Sequence, residues 1–277
     1  MNWINQRLEE FQAVVSLIVP ALRALYQTDP HKFWCTIGWA LGLAVGMHLS
    51  CRLIGKLWFK RFKPNFPQNL LSMLATVLTA LGAILWVAGN NLRAGLALIL
   101  VAWQGAINED GPWAQRTFVA RYETVKKLGL EDFTNHPHPS RGGTTIPLNA
   151  SESRLQDARV VIGLASVHFA GAYPALGRLL KVTDGLAAPI SRVKNQVDAF
   201  FATGEHIMPA AKTIKMCAEI LKETFEGRYG ALVAMTRWIA VGLPVISWLA
   251  LYVWIARASS KIIKSKVVKR SAIKPFV

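Results

Sequence analysis

The stretch that decides the fold is Phe33–Cys51, FWCTIGWALGLAVGMHLSC, which carries no formally charged side chain. At 1.5 Å per residue a helix of this length just covers the ~30 Å hydrocarbon core of a bilayer. Its glycines fall at Gly38, Gly42 and Gly46, one every four residues and so on one helix face. Such a ridge lets a second backbone approach closely, where dispersion replaces the hydrophobic drive that lipid cannot supply. The residues expected to mediate helix packing are therefore Gly38, Gly42 and Gly46.

Working outward, four more apolar segments follow. Residues 69–89 (NLLSMLATVLTALGAILWVAG) form a second span, and 92–107 return after the polar Asn90-Asn91 turn. Residues 160–180 make a fourth membrane segment, broken at Tyr173-Pro174. Residues 230–256 form the last and longest, with Pro244 inside it and Trp238 and Trp254 near its ends, where interfacial aromatics belong. The expected fold is all-α, a polytopic helical membrane protein of about five transmembrane helices with amphipathic interfacial helices.

Charge patterning sets orientation. The 277 residues contain 32 Lys and Arg against 16 Asp and Glu, a formal +16, while only 17% are charged and 52% are hydrophobic. Soluble domains carry about 25% charged residues. Two basic clusters contain no acid: Arg52, Lys56, Lys60, Arg61 and Lys63 after the first span, and Arg257, Lys261, Lys264, Lys266, Lys269, Arg270 and Lys274 in the 257–277 tail. The positive-inside rule places both in the cytoplasm, in reach of anionic phospholipid. Five crossings satisfy it, with the N-terminus outside and the C-terminus inside. Because the cations flank apolar runs instead of forming one basic domain, nucleic acid ranks behind lipid as their partner.

The remaining segments read as helices that need a surface to cover. In residues 1–31, Ile4, Leu8, Phe11, Val15, Ile18, Leu22 and Leu25 recur at steps of four and three, an a/d seam suited to a partner helix or to lying flat on the membrane. Residues 108–159 comprise a helix over Trp113–Leu128 and a Pro/Gly/Ser-rich loop. Residues 181–229 form an amphipathic helix pair broken at Thr203-Gly204.

Chemistry-bearing patterns are sparse. His136 and His138 in the loop lack a carboxylate or thiolate pair at ligand spacing. Arg141–Thr145 lacks the phosphate-loop pattern. The spans contain no Asp or Glu, and His48, His168 and Arg237 are the ionisable residues within them that invite a functional reading. Cys35, Cys51 and Cys217 have no disulfide or zinc spacing. No cleavable signal peptide is read at the N-terminus. No catalytic, metal or cofactor residue is assigned, and no cofactor is expected. The expectation is a non-catalytic structural subunit of a larger membrane assembly, bound to other membrane subunits and anionic phospholipids. By architectural analogy it suits a bacterial secretion or DNA-transfer complex of the inner membrane. A stand-alone channel or transporter, and an accessory subunit of a respiratory or ATP-synthase complex in a bacterial or organelle membrane, are the alternatives.

Overall fold

The computed structural model describes residues 2–58, 66–182, 190–205 and 207–271. They form nine α-helices and one short 3₁₀ turn, with no strand among the described residues. The helices are α1 (Asn2–Thr28), α2 (Pro30–Trp58), α3 (Phe66–Asn90), α4 (Leu92–Glu109), α5 (Gly111–Leu128), α6 (Ser151–Ala172), α7 (Pro174–Leu179), α8 (Ile190–Phe201) and α9 (Ala210–Ser271). The chain divides into two compact units, Met1–Ala21 with Leu92–Ala231, and Leu22–Asn91 with Leu232–Val277.

Local chemistry sets the helix ends. Asp110 starts α5 by accepting the Trp113 amide at 2.9 Å, Pro112 occupies its first turn, and Gly129 (φ 66°) ends it. Tyr173 leaves helical geometry (φ −131°, ψ 71°) ahead of Pro174, which separates α6 from α7 where the sequence places the break. Thr203-Gly204 ends α8, with Gly204 at φ 87°. The expected second helix of the 181–229 pair is not separate: it is the start of α9, which continues without interruption to Ser271.

In the first unit, α6 is the hub. It packs against α4, α5, α7 and α8, burying Leu155, Ala158, Val161, Ile162, Ala165 and Phe169. Buried among these helices is an ion pair. Arg121 donates to both carboxylate oxygens of Asp157 at 2.7 and 2.8 Å, and its guanidinium also reaches the Met208 carbonyl at 3.2 Å. The two side chains are 9% and 1% exposed. Bidentate geometry and the extra carbonyl satisfy charges that would otherwise be costly to bury. At the start of α4, Arg93 pairs with Glu226 at 2.7 Å and stacks on the Tyr229 ring.

In the second unit, α2 packs against α3, and Ala75, Trp248 and Leu251 form a core lined by Leu71 and Tyr252. Three helices are long and apolar enough to cross a membrane: Pro30–Ser50, Phe66–Asn90 and Ala210–Trp254. Only 11%, 22% and 22% of their apolar windows are buried within the protein. Trp39, Leu70, Met73, Leu249 and many similar side chains face outward. That much exposed hydrocarbon suits lipid, not water. The chain is an all-α protein with the features of a membrane protein. The other two segments expected to cross, 92–107 and 160–176, fall short of that measure. Leu96, Ile99, Leu100 and Trp103 of the one and Val161, Ile162, Ala165 and Phe169 of the other are buried in the first unit.

Arg121→Met strands the Asp157 carboxylate and is expected to destabilise the first unit by about 3–5 kcal/mol. The double variant Arg121→Met/Asp157→Leu removes both charges and should recover most of that loss. Thermal unfolding of the detergent-solubilised protein reads both; equal losses in the single and double variants would mean that the pair, not the stranded charge, carries the stability.

Candidate functional site

The second unit shows how a proline inside a helix is accommodated in an apolar setting. Pro244 lies inside α9 and has no N–H. The carbonyl four residues earlier, Ala240, therefore loses its helical donor. Gly82 of α3 meets it there: a Cβ built on Gly82 would stand 2.3 Å from the Ala240 oxygen. The glycine's α-hydrogen thus points at the freed acceptor, a weak C–H donor where water is absent. Further along α3, a Cβ at Gly89 would come within 2.8 Å of Thr236. Gly82 and Gly89 extend a small-residue seam through Ser72, Ala75 and Thr79, all five buried. This seam, spaced 3, 4, 3 and 7, is the packing stripe that the sequence analysis passed over in favour of the more conspicuous glycines of α2.

Polar side chains in this unit join helix to helix. The His48 Nδ1 lies 3.0 Å from the Thr76 hydroxyl and 3.1 Å from that of Ser72. Trp248 donates its indole N–H to Thr79 at 3.0 Å. Arg237 reaches the Asn90 side-chain oxygen at 3.1 Å and lies over the Trp86 ring, 5.1 Å from its centroid.

Gly38, Gly42 and Gly46 stand apart from this packing. All three are exposed, and a Cβ on any of them would meet nothing within 4 Å among the described residues. The buried face of α2 is formed by Ala40 and Ala44, on the other side of the helix. The ridge is open.

The same division appears on α1. Its buried residues are Glu10, Ala13, Val14, Leu17, Ala21, Ala24 and Leu25, and a Cβ on Gly95 of α4 would come within 2.8 Å of the Ala21 amide nitrogen. Of the expected seam, Leu8, Phe11 and Val15 are exposed, Ile18 and Leu22 are half-buried, and only Leu25 is buried. The Ile4 side chain lies outside the described residues. Leu8, Phe11 and Val15 thus face outward, while the chain packs α1 through Ala13, Val14, Leu17, Ala21, Ala24 and Leu25.

The basic residues proposed to meet lipid are described in part. Arg52 and Lys56 are exposed on α2. Lys60, Arg61, Lys63 and Lys274 lie outside the described residues, as do the side chains of Lys261, Lys264, Lys266, Lys269 and Arg270, although the α9 backbone runs through the last five.

The histidines of the first unit sit in defined networks. His168 accepts the Trp103 indole N–H at 3.1 Å and lies 3.5 Å from the Asp110 carboxylate. In the loop, His138 contacts Glu123 at 2.6 Å and the Ser140 hydroxyl at 2.7 Å. Because the Ser140 amide donates to His138 Nδ1, Nε2 carries the proton facing Glu123. Tyr122 donates to the His136 carbonyl and packs edge-on against Phe133 and His138. The Thr134 hydroxyl and amide hold the Asp132 carboxyl below the usual carboxylate range. The loop is thus an ordered structure tied to α5, which its composition did not reveal. Among the described residues no three His, Cys, Asp or Glu side chains gather at metal-binding distance.

The contrast between the two sets of glycines is testable. Gly82→Val drives a side chain into the Ala240 carbonyl and should sharply reduce folded, monodisperse yield. Gly42→Val meets open space and should leave folded yield and helical circular dichroism unchanged. Equal damage from both would contradict this packing.

Comparison of the chain with protein-family models, with curated proteins and with solved structures finds no match.

Proposed function

We propose that this chain is a non-catalytic structural subunit of a larger membrane assembly. The observation that carries this reading is the open glycine ridge of α2. The chain makes its own close helix contacts elsewhere, through Gly82 and Gly89, and leaves Gly38, Gly42 and Gly46 available. Lipid gains nothing from a ridge of three glycines, whereas a partner helix gains close backbone approach. The outward Leu8, Phe11 and Val15 of α1 offer a second surface of the kind a partner helix covers. Of the polar residues available to line a pathway, Ser72, Thr76, Thr79 and Gln104, the first three are engaged in hydrogen bonds between helices, which favours a scaffold over a channel. A bacterial inner-membrane machine for secretion or DNA transfer remains the assembly that best suits this architecture, by analogy alone.

For its topology we favour three crossings over five. Both numbers are odd, so both put the Arg52–Lys63 loop and the basic tail in the cytoplasm. They differ in where 108–159 lies: outside with three, inside with five. Five crossings would carry residues 160–176 of α6 into lipid directly after Asp157, whose buried pairing with Arg121 ties that end of the helix to the polar 108–159 segment. The acids agree with three. Every Asp and Glu except Asp29 falls within Met1–Ala21 or Leu92–Ala231, the residues that this topology leaves in water. The second unit holds nearly all of the +16 excess, which fits cytoplasmic anchoring to anionic phospholipid.

Cysteine-accessibility labelling on a cysteine-free background decides the topology. Cysteines at Lys60 and Lys269 should label from the cytoplasm, and one at Ser140 from the opposite side. Cytoplasmic labelling at Ser140 would restore five crossings.

A photo-crosslinking residue at Gly42 or Phe11 tests the assembly. The expected product is an adduct with another membrane polypeptide. Adducts with lipid alone at both positions would overturn the subunit reading.

A further inference from the structure

Within the second unit, α2, α3 and the Pro244 region of α9 enclose a groove of about 660 Å³, a volume in the range of small-molecule sites. Its walls are Leu43 and Met47 of α2, Ala83 and Val87 of α3, and Val241 and Val245 of α9. Along α2 it runs from Lys32 to Met47, about 22 Å at 1.5 Å per residue. We propose that this groove holds one acyl chain of an anionic glycerophospholipid, with the phosphate at the Lys32 end. The inference rests on this unit being embedded in a bilayer, but not on the chain having protein partners.

Three observations point to this occupant. First, the interior is lined mainly by aliphatic side chains, its two hydroxyls are engaged within the protein, and its remaining side-chain donors are the indole N–H groups of Trp39 and Trp86. The Thr36 hydroxyl donates to the Lys32 carbonyl at 2.8 Å. The Thr79 hydroxyl donates to the Ala75 carbonyl at 2.7 Å and accepts from Trp248. Cys35 lies against His31. A sugar, nucleotide or hydrated ion would lose its water there with little replacement, while hydrocarbon loses nothing.

Second, the charge lies at one end. Lys32 is exposed and makes no ion pair among the described residues. Trp86 lines the same groove, and Arg237, three residues before Ala240, holds its guanidinium over that ring. Only one contact to Asn90 is made by its five N–H donors. The acid nearby, Asp29, is occupied at the start of α2, where it accepts the Lys32 amide at 2.8 Å. Two cations and a tryptophan thus form a headgroup-depth cluster.

Third, Pro244 and Gly82 shape the cleft. Pro244, Ala240 and Gly82, the residues of the close α3–α9 contact, line it directly, so the opening is bounded on that side by backbone and ring atoms.

The test uses the full chain reconstituted with phosphatidylglycerol or phosphatidylcholine bearing a diazirine at mid-chain, with crosslinks mapped by peptide mass spectrometry. Phosphatidylglycerol should label the groove residues Leu43, Ala83 and Val241 several-fold above phosphatidylcholine. Lys32→Glu/Arg237→Gln should bring the two lipids to the same level. Ala83→Phe, which fills the groove, should abolish that labelling in both while the outward Leu70 and Leu249 remain labelled; this also reports that the protein is folded. Equal labelling by the two lipids in the natural sequence would mean only bulk lipid contact and would overturn the proposal. So would groove labelling that survives Ala83→Phe. A polypeptide crosslinked at Ala83 in place of lipid would show that the groove seats a helix instead.

Discussion

An unpaired backbone carbonyl in hydrocarbon has no water to turn to, and Ala240 would have one because Pro244 sits four residues later. The close approach of Gly82 supplies the nearest thing to a donor that a neighbouring helix can offer. Much of the second unit follows from that contact. It requires α3 to present a residue without a Cβ and sets how near α9 can come at that level. It also explains why the adjoining seam is made of small residues, with Gly89 against Thr236 and Trp248 held on Thr79.

The first unit is built on the opposite chemistry. Its helices carry acids and bases throughout, and one pair, Arg121 and Asp157, is buried with bidentate geometry and a backbone carbonyl as third partner. In lipid such a pair would face a larger desolvation penalty, whereas a protein interior exposed to water at its edges supplies the polar surroundings. Apolar content alone therefore does not mark a crossing. Residues 160–176 are as hydrophobic as many buried helices, and their apolar face is used up by α4, α5 and α8.

This explains what the sequence made legible. Length, charge exclusion and flanking cations were enough for the helical membrane character, and for α2, α3 and the end of α9. The Tyr173-Pro174 break and the α5 helix were also readable, because proline geometry and capping act locally. What escaped notice depended on partners distant in sequence. Arg121 and Asp157 are 36 residues apart, and neither position is unusual by itself. Gly82 looked like one apolar-span glycine among several until Ala240 was placed against it. The α1 seam was visible, but periodicity cannot say which of two apolar faces a chain keeps for itself: Ala13, Leu17 and Ala21 proved to be the inner one.

That last point connects packing to function. Small residues allow close approach but contribute little area, so a helix that buries alanines internally keeps its larger side chains for other contacts. On α1 the outward residues are Leu8, Phe11 and Val15; on α2 the outward face is the glycine ridge with Trp34, Leu41 and Leu49 nearby. A protein built only to persist in a membrane has no need to place three glycines at four-residue spacing toward lipid, where each contributes less dispersion contact than any larger residue and weakens its own helix. Their exposure makes physical sense when another backbone lies against them. The internal economy of the fold, with Gly82 and Gly89 already sufficient for its own helix crossings, therefore favours a chain whose structure is completed by association.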